Sequence, residues 1–149
     1  MEVKREHYLN QLISHKHNGL IKIISGIRRC GKSYLLSELF RKHLLAEGVK
    51  EDHIIHIALD DYEKKQYRNP DNCYKYVKSS IKDDEMYYLL LDEVQMMDSF
   101  EDVLNGFLHI KNLDVYVTGS NSKFLSSDVV TEFRGRGDEV RVYPFSFAE

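Results

Sequence analysis

The sequence predicts an α/β fold in which helices cover both faces of a parallel sheet. Short apolar runs alternate along the chain with segments whose apolar residues recur at helical spacing. The most apolar run, "MYYLLL" at 86–91, shows no polar alternation, as expected of a strand that is covered on both faces. Alternation of this kind is typical of parallel sheets. Right-handed crossovers bring the carboxyl ends of the strands to one edge, where ligands bind.

The elements are predicted in order from these patterns. Strands are expected at 20–25, 53–59, 86–91, 113–119 and 138–145, the last of them interrupted by Pro144. Helices are expected at 6–15, 35–44, 72–81, 100–108 and 123–133. Pro70 and Asp71 favour a helix N-terminus just before the third of these helices.

Length and composition restrict the class of protein. A chain of 149 residues with 42% hydrophobic and 30% charged residues suits one globular domain. The net charge of −3 argues against a generally basic nucleic-acid surface. Cys30 and Cys73 are too far apart for a CxxC motif and suggest neither a disulfide framework nor a zinc site. No apolar run approaches the roughly 20 residues that cross a bilayer, so we expect a cytoplasmic protein without membrane contact.

A glycine-rich segment follows the first predicted strand. It reads Gly26-x-x-x-x-Gly31-Lys32-Ser33, which is the Walker A pattern of a phosphate-binding loop between a strand and a helix. The glycines let backbone N–H groups surround phosphates, Lys32 would contact the β- and γ-phosphates, and the Ser33 hydroxyl would ligate Mg²⁺. The predicted nucleotide-binding residues are Gly26, Ile27, Arg28, Arg29, Cys30, Gly31, Lys32, Ser33 and Tyr34.

Two acidic residues, Asp92 and Glu93, end the apolar run at 86–91. A phosphate-binding loop needs a metal-orienting carboxylate at the end of another strand; Asp92 would hold the Mg²⁺ shell, and Glu93 would polarise the water that attacks the γ-phosphate. Small-molecule kinases must suppress attack by water and usually lack such a glutamate. The segment "NSKF" at 121–124 does not match the NKxD motif of GTPases. The acidic pair therefore favours ATP hydrolysis.

Two further polar segments lie at the ends of predicted strands. In "VTGSN", Ser120 or Asn121 is either a sensor of the γ-phosphate that orients the water or a helix N-cap. In "FRGRG", an arginine either stabilises transition-state charge, in the same chain or from a neighbouring subunit, or is an ordinary surface residue. Arg136 is a stronger candidate for the catalytic role than Arg134.

Two histidines, His53 and His56, look like a metal-binding pair in the sequence. They are three residues apart in a predicted strand, and successive side chains of a strand point to opposite faces. We therefore expect the two rings to point away from each other, and we predict no metal site from this pair.

With these motifs the chain resembles the AAA-type P-loop ATPase domain of bacteria and archaea. The resemblance runs over nearly the whole chain and rests on "IKIISGIRRCGKSYLL", "LLLDEVQ", "VYVTGSNSKFLS" and "RGRGDEVRVYPFSFAE", in order and spacing. It implies ATP binding and hydrolysis on an ASCE-type, three-layer parallel sheet of about five strands in the order 5-1-4-3-2. The Gly-Arg before the last strand falls on Gly135 and Arg136. Arg134 departs from the family pattern, which has a small or neutral residue there.

The resemblance also implies a longer protein, because such proteins usually continue past "YPFSF" into helical and nuclease-like regions. We therefore expect residues 1–149 to be a single ATP-binding domain, an N-terminal fragment that hydrolyses ATP slowly by itself. Its expected cofactors are ATP and Mg²⁺. A homo-oligomer or a partner protein is possible, and nucleic acid would be contacted only through regions beyond this chain. Two alternatives stay open: a nucleotide-gated switch or binding module with little turnover, and a less favoured small-molecule kinase, for which no arginine-rich lid is evident.

Overall fold

A computed structural model describes residues 2–17, 19–25, 34–119 and 137–141 of the chain. Within these ranges, five strands pair in parallel in the order β2-β3-β4-β1-β5, which is the expected order 5-1-4-3-2 counted from the opposite edge. The α/β fold class is thereby confirmed. The strands are β1 (Ile21–Ser25), β2 (Ile54–Ala58), β3 (Tyr87–Asp92), β4 (Leu113–Gly119) and β5 (Gly137–Arg141).

Four longer helical segments occur among the described residues; the first precedes β1, and the other three connect successive strands from β1 to β4. They are α1 (Glu2–Ser14), α2 (π-helical at Leu35–Phe40 and α-helical at Arg41–Ala46), α3 (Pro70–Ser80) and α4 (Phe100–Phe107). Short 3₁₀ turns occur at Glu51–His53, Tyr62–Arg68 and Val94–Met96. The helix expected at 123–133 and the end of the last strand, 142–145, lie outside the described residues.

The start of α3 shows how the sequence determines a helix boundary. The Asn69 side chain accepts hydrogen bonds from the backbone N–H groups of Asp71 and Asn72, at 2.9 and 3.1 Å. These N–H groups have no partner within a helix, so the cap satisfies them. Pro70, whose missing N–H costs nothing at this position, begins the helix as expected.

The sheet is the middle of three layers, with one apolar cluster on each face. Side chains alternate between the two faces of a strand, and in β1 Ile23 belongs to one cluster while Ile24 belongs to the other. The Ile24 cluster packs against α1 and α2, and the Ile23 cluster packs against α3 and α4. All six residues of β3 are buried: the apolar run predicted this for residues 87–91, and Asp92 at its end is buried with them. No helix among the described residues is long and apolar enough to cross a membrane.

A buried ion pair joins β1 to β4 near the amino ends of these strands. The Lys22 ammonium donates to the Asp114 carboxylate and to the Leu20 carbonyl, and both charged side chains are almost completely buried. The other Asp114 oxygen accepts from the Tyr116 hydroxyl at 2.7 Å and from the backbone N–H of His17 at 3.0 Å. Burial, and after it the charge of Asp114, raises the pKa of Tyr116 far above its usual value, so this phenol stays a donor. Lys22 and Asp114 therefore neutralise each other within the sheet.

Replacing Lys22 with Met is expected to destabilise the fold, because Asp114 would stay buried without its cation. Breaking a buried pair from one side costs about 3–5 kcal/mol. Urea unfolding followed by circular dichroism should therefore show a much lower free energy of unfolding for Lys22→Met. The control is Lys42→Met at an exposed position of α2, which should change it by less than about 0.5 kcal/mol. Equal stability of the two variants would contradict the importance of the pair.

Candidate functional site

The carboxyl ends of β1, β3 and β4 lie side by side at one edge of the sheet. Ser25, the last residue of β1, pairs with Gly119 at the end of β4, and Leu91 of β3 pairs with Val117 of β4. The chain leaves β1 at this edge into the predicted phosphate-binding loop. Residues 26–33 of that loop lie outside the described residues, whereas Tyr34 is described and lies half-exposed just before α2.

Asp92 is the last residue of β3, and its side chain is held from both neighbouring strands. The Thr118 hydroxyl of β4 donates to Oδ1 at 3.0 Å, and the His56 ring nitrogen Nε2 of β2 lies 3.2 Å from Oδ2. A carboxylate can only accept, so His56 Nε2 carries the hydrogen. The carboxylate is buried, with 4% of its side chain exposed. It is therefore a polar group oriented within the sheet, and not a solvated acid at a strand end.

Glu93 follows with a left-handed backbone, at φ +54° and ψ +55°. Such a conformation costs a non-glycine residue about 1–3 kcal/mol and persists only when its surroundings impose it. Described contacts with Thr118, Gln95 and Met96 hold this residue, the last through the Met96 N–H, which donates to the Glu93 carbonyl at 3.0 Å. Its backbone N–H donates to the Thr118 hydroxyl at 2.9 Å, and its Oε1 accepts from the Gln95 side-chain amide at 2.8 Å. Glu93 is buried, so its side chain is packed within the protein at this edge of the sheet.

Thr118 connects the two acidic residues. Its fully buried hydroxyl donates to Asp92 and accepts from the Glu93 backbone, so one oxygen orients both. Sequence reasoning singled out Ser120 and Asn121 in the same segment and missed Thr118. A hydroxyl near the carboxyl end of a strand, one residue before its terminal glycine, was the available signal. Ser120 and Asn121 lie outside the described residues.

The remaining sequence predictions concern two arginines and two histidines. Arg134 and Arg136 lie outside the described residues, together with Gly135. His53 lies in the 3₁₀ turn just before β2 and not in the strand as expected, and its ring and that of His56 lie on opposite sides of the sheet. His53 stacks on Tyr87 with ring centroids 4.1 Å apart, while His56 contacts Asp92.

The donor atoms at this edge fit Mg²⁺. Mg²⁺ prefers oxygen ligands and is usually bound through one or two carboxylates together with nucleotide phosphates, not by an all-protein cage. Asp92 offers a buried, oriented carboxylate at the strand end. The described residues contain no group of three or more His, Cys, Asp or Glu side chains that could hold a metal alone.

Removing the Thr118 hydroxyl is expected to destabilise this edge. Thr118→Val keeps the shape but leaves the buried Glu93 N–H without its acceptor, which costs about 1–3 kcal/mol. The loss should appear as a lower urea midpoint. Thr118→Ser keeps the hydroxyl and loses a methyl group. It therefore distinguishes the contribution of the hydrogen bonds to stability from that of packing. A Val variant as stable as the wild type would show that the hydroxyl does not hold the two acids.

Comparison with known sequences identifies the family. Residues 18–149 match a family described as AAA domain. An uncharacterized protein of Haemophilus influenzae is 33% identical over 148 residues, 99% of this chain. The uncharacterized protein MJ1544 of Methanocaldococcus jannaschii is 31% identical over 87% of this chain. The chain spans 37% and 27% of the lengths of these two relatives.

Solved structures agree in fold. A Drosophila ORC structure bound to DNA superposes with a TM-score of 0.63 at 12% identity, covering 96% of this chain and 93% of that one. The Aeropyrum pernix Orc1 protein in complex with DNA gives 0.60 at 12% identity, covering 93% and 44%. C. elegans PCH-2 gives 0.60 at 16% identity, covering 99% and 40%. Given the family match over most of its length, the chain belongs to the AAA domain family and is a nucleotide-binding domain of the ATPase type.

Proposed function

We propose that this chain binds ATP together with Mg²⁺ and hydrolyses it to ADP and phosphate. The observation that carries the proposal is the buried pair Asp92 and Glu93 at the carboxyl end of β3, with both residues contacting the Thr118 hydroxyl. The pair lies at the edge where β1 ends and the Walker A segment begins. Ligand binding at this edge is the rule in parallel α/β sheets.

Binding would be divided between the Walker A segment and β3. The backbone N–H groups of residues 26–34 would surround the phosphates, and Lys32 would contact the β- and γ-phosphates. Ser33 and Asp92 would hold Mg²⁺. When bound, Mg²⁺ supplies positive charge that offsets the charge of the phosphate oxygens. The oriented Asp92 carboxylate supports this assignment, because it does not have to reorganise when the cation binds.

Hydrolysis would use Glu93 as the general base that orients the attacking water and accepts its proton. Its fixed backbone and its contact with Gln95 support this role, since a base must be held in place relative to the water. Asn121 would help to orient the water. Arg136 would stabilise charge on the transferred phosphoryl group, in the same chain or from a neighbouring subunit.

The proposal also covers the protein to which this domain would belong and its binding partners. Residues 1–149 would be a single ATP-binding domain of a longer, cytoplasmic protein, as the lengths of the two relatives support. ATP and ADP would be its ligands, and a second copy or a partner protein would supply any arginine in trans. Two of the three solved structures named above are of DNA-bound proteins. The net charge of −3 does not favour DNA binding by this chain, and DNA would be contacted only through other regions.

The Glu93→Gln variant should keep Mg·ATP affinity and lose most hydrolysis, because the amide can hold the water but cannot accept its proton. Loss of a general base typically lowers the rate by about 10²–10⁴-fold. Phosphate release measures the rate, and fluorescent-ATP titration measures the affinity. A wild-type chain that binds ATP without releasing phosphate would favour the nucleotide-gated switch. A Gln variant with the wild-type rate would indicate a different base.

The Lys32→Ala variant should lose most ATP affinity while it stays folded, because it removes a positive charge expected at the β- and γ-phosphates. Isothermal titration measures the affinity, and circular dichroism checks the fold. Lys42→Ala, at an exposed position of α2, is the charge-matched control and should bind ATP like the wild type. Equal affinity of Lys32→Ala and wild type would show that the Walker A assignment is wrong.

A further inference from the structure

We infer that His56 is a positioning residue for the Asp92 carboxylate, and that strand β2 thereby sets the Mg²⁺ affinity of the nucleotide site. The inference rests on the proposed function and adds to it a residue outside the Walker segments. His56 would not touch the nucleotide or the cation. It would act by holding one oxygen of the carboxylate that does.

The sheet register places His56 for this contact. β2 pairs with β3 in parallel, with His56 opposite Leu90 and Ala58 opposite Asp92. Residues two apart in a strand share a face, so Asp92 lies on the same face as Leu90 and is one step nearer the carboxyl end. The imidazole reaches diagonally along the strands to Asp92 Oδ2, at 3.2 Å. Thirty-six residues separate the two in sequence, so the contact exists only because these strands are neighbours.

The two Asp92 oxygens are held by donors on opposite strands. Thr118 of β4 donates to Oδ1, and His56 of β2 donates to Oδ2. Rotation of the carboxylate about its Cβ–Cγ bond would break both hydrogen bonds, so together they fix its plane. Mg²⁺ requires near-ideal octahedral geometry, and loss of a partner that orients a metal ligand typically lowers metal affinity by about 10–100-fold. A fixed plane therefore favours this cation.

The exposure of His56 argues against a role in core packing. One third of its side chain is exposed, against 4% for Asp92. His56 also lines a polar groove of about 880 Å³, whose lining includes Glu38, Arg41 and Lys82. A histidine that served the core would be enclosed by apolar side chains. Replacing this ring should therefore change the site more than the stability of the fold.

The test compares nucleotide affinity with and without Mg²⁺. Fluorescent ADP is titrated against the protein in excess Mg²⁺ and in EDTA, and the ratio of the two Kd values is the coupling between cation and nucleotide. Leu is similar in size to His but has no hydrogen-bond donor. The coupling in His56→Leu should therefore fall about tenfold or more. The Kd in EDTA should not change. His56→Gln, whose amide nitrogen can replace the Nε2 donor, should keep most of the coupling. His109→Leu, at an exposed histidine, is the control and should behave like the wild type.

Every other result contradicts the inference, and the pattern among the variants shows which step is wrong. Wild-type coupling in His56→Leu would show that the ring does not position the metal ligand. Equal losses in the Leu and Gln variants would show that the hydrogen bond is not the cause, as would a weaker Kd in EDTA. Urea midpoints of all variants identify any loss of folding, and the Gln variant decides the matter if the Leu variant is unstable. If the wild-type chain binds no ADP in either condition, the proposed function itself fails, and the inference fails with it.

Discussion

Parallel pairing of β1, β3 and β4 is the constraint on which the candidate site depends. The strands are far apart in sequence, yet their registers bring Ser25, Asp92 and Thr118 to one edge of the sheet. A reversed strand would carry its terminal polar residue to the opposite edge, where no phosphate-binding segment begins. The same pairing leaves the middle of β3 covered on both faces. The position of β3 within the parallel sheet therefore accounts both for its apolar run and for the acids at its end.

Residues at the amino ends of the strands stabilise the fold, whereas the candidate functional residues lie at the carboxyl ends. Lys22 and Asp114 lie near the amino ends of β1 and β4, and their buried pair also holds the backbone of His17, just after α1. In the described contacts, the acids at the carboxyl ends are held by an imidazole, an amide and a hydroxyl. These contacts orient the acids at the edge where the nucleotide is proposed to bind.

Much of this could be predicted from the sequence, and the missed parts share a physical cause. Strands, helices and Asp92 with Glu93 follow from patterns local to a few residues, such as the apolar run at 86–91 and its acidic end. The contacts that orient these acids are between strands. Thr118 is 26 residues from Asp92, and His56 is 36 residues away on the other side. A histidine inside a strand gives no local sign of the carboxylate it will meet, because register and strand order decide that contact.

The positions of Gln95, His56 and Thr118 suggest that orientation of the metal ligand and orientation of the base are partly separable. In the described contacts His56 donates to Asp92 and Gln95 donates to Glu93, whereas the Thr118 hydroxyl serves both acids. A change at His56 should then act through the cation, and a change at Gln95 through the water. A change at Thr118 should act through both and be non-additive with either, as expected of residues in one hydrogen-bonded network. Strand β2, the outermost of the described strands on its side of the sheet, carries neither Walker motif and thus belongs to the site through one imidazole.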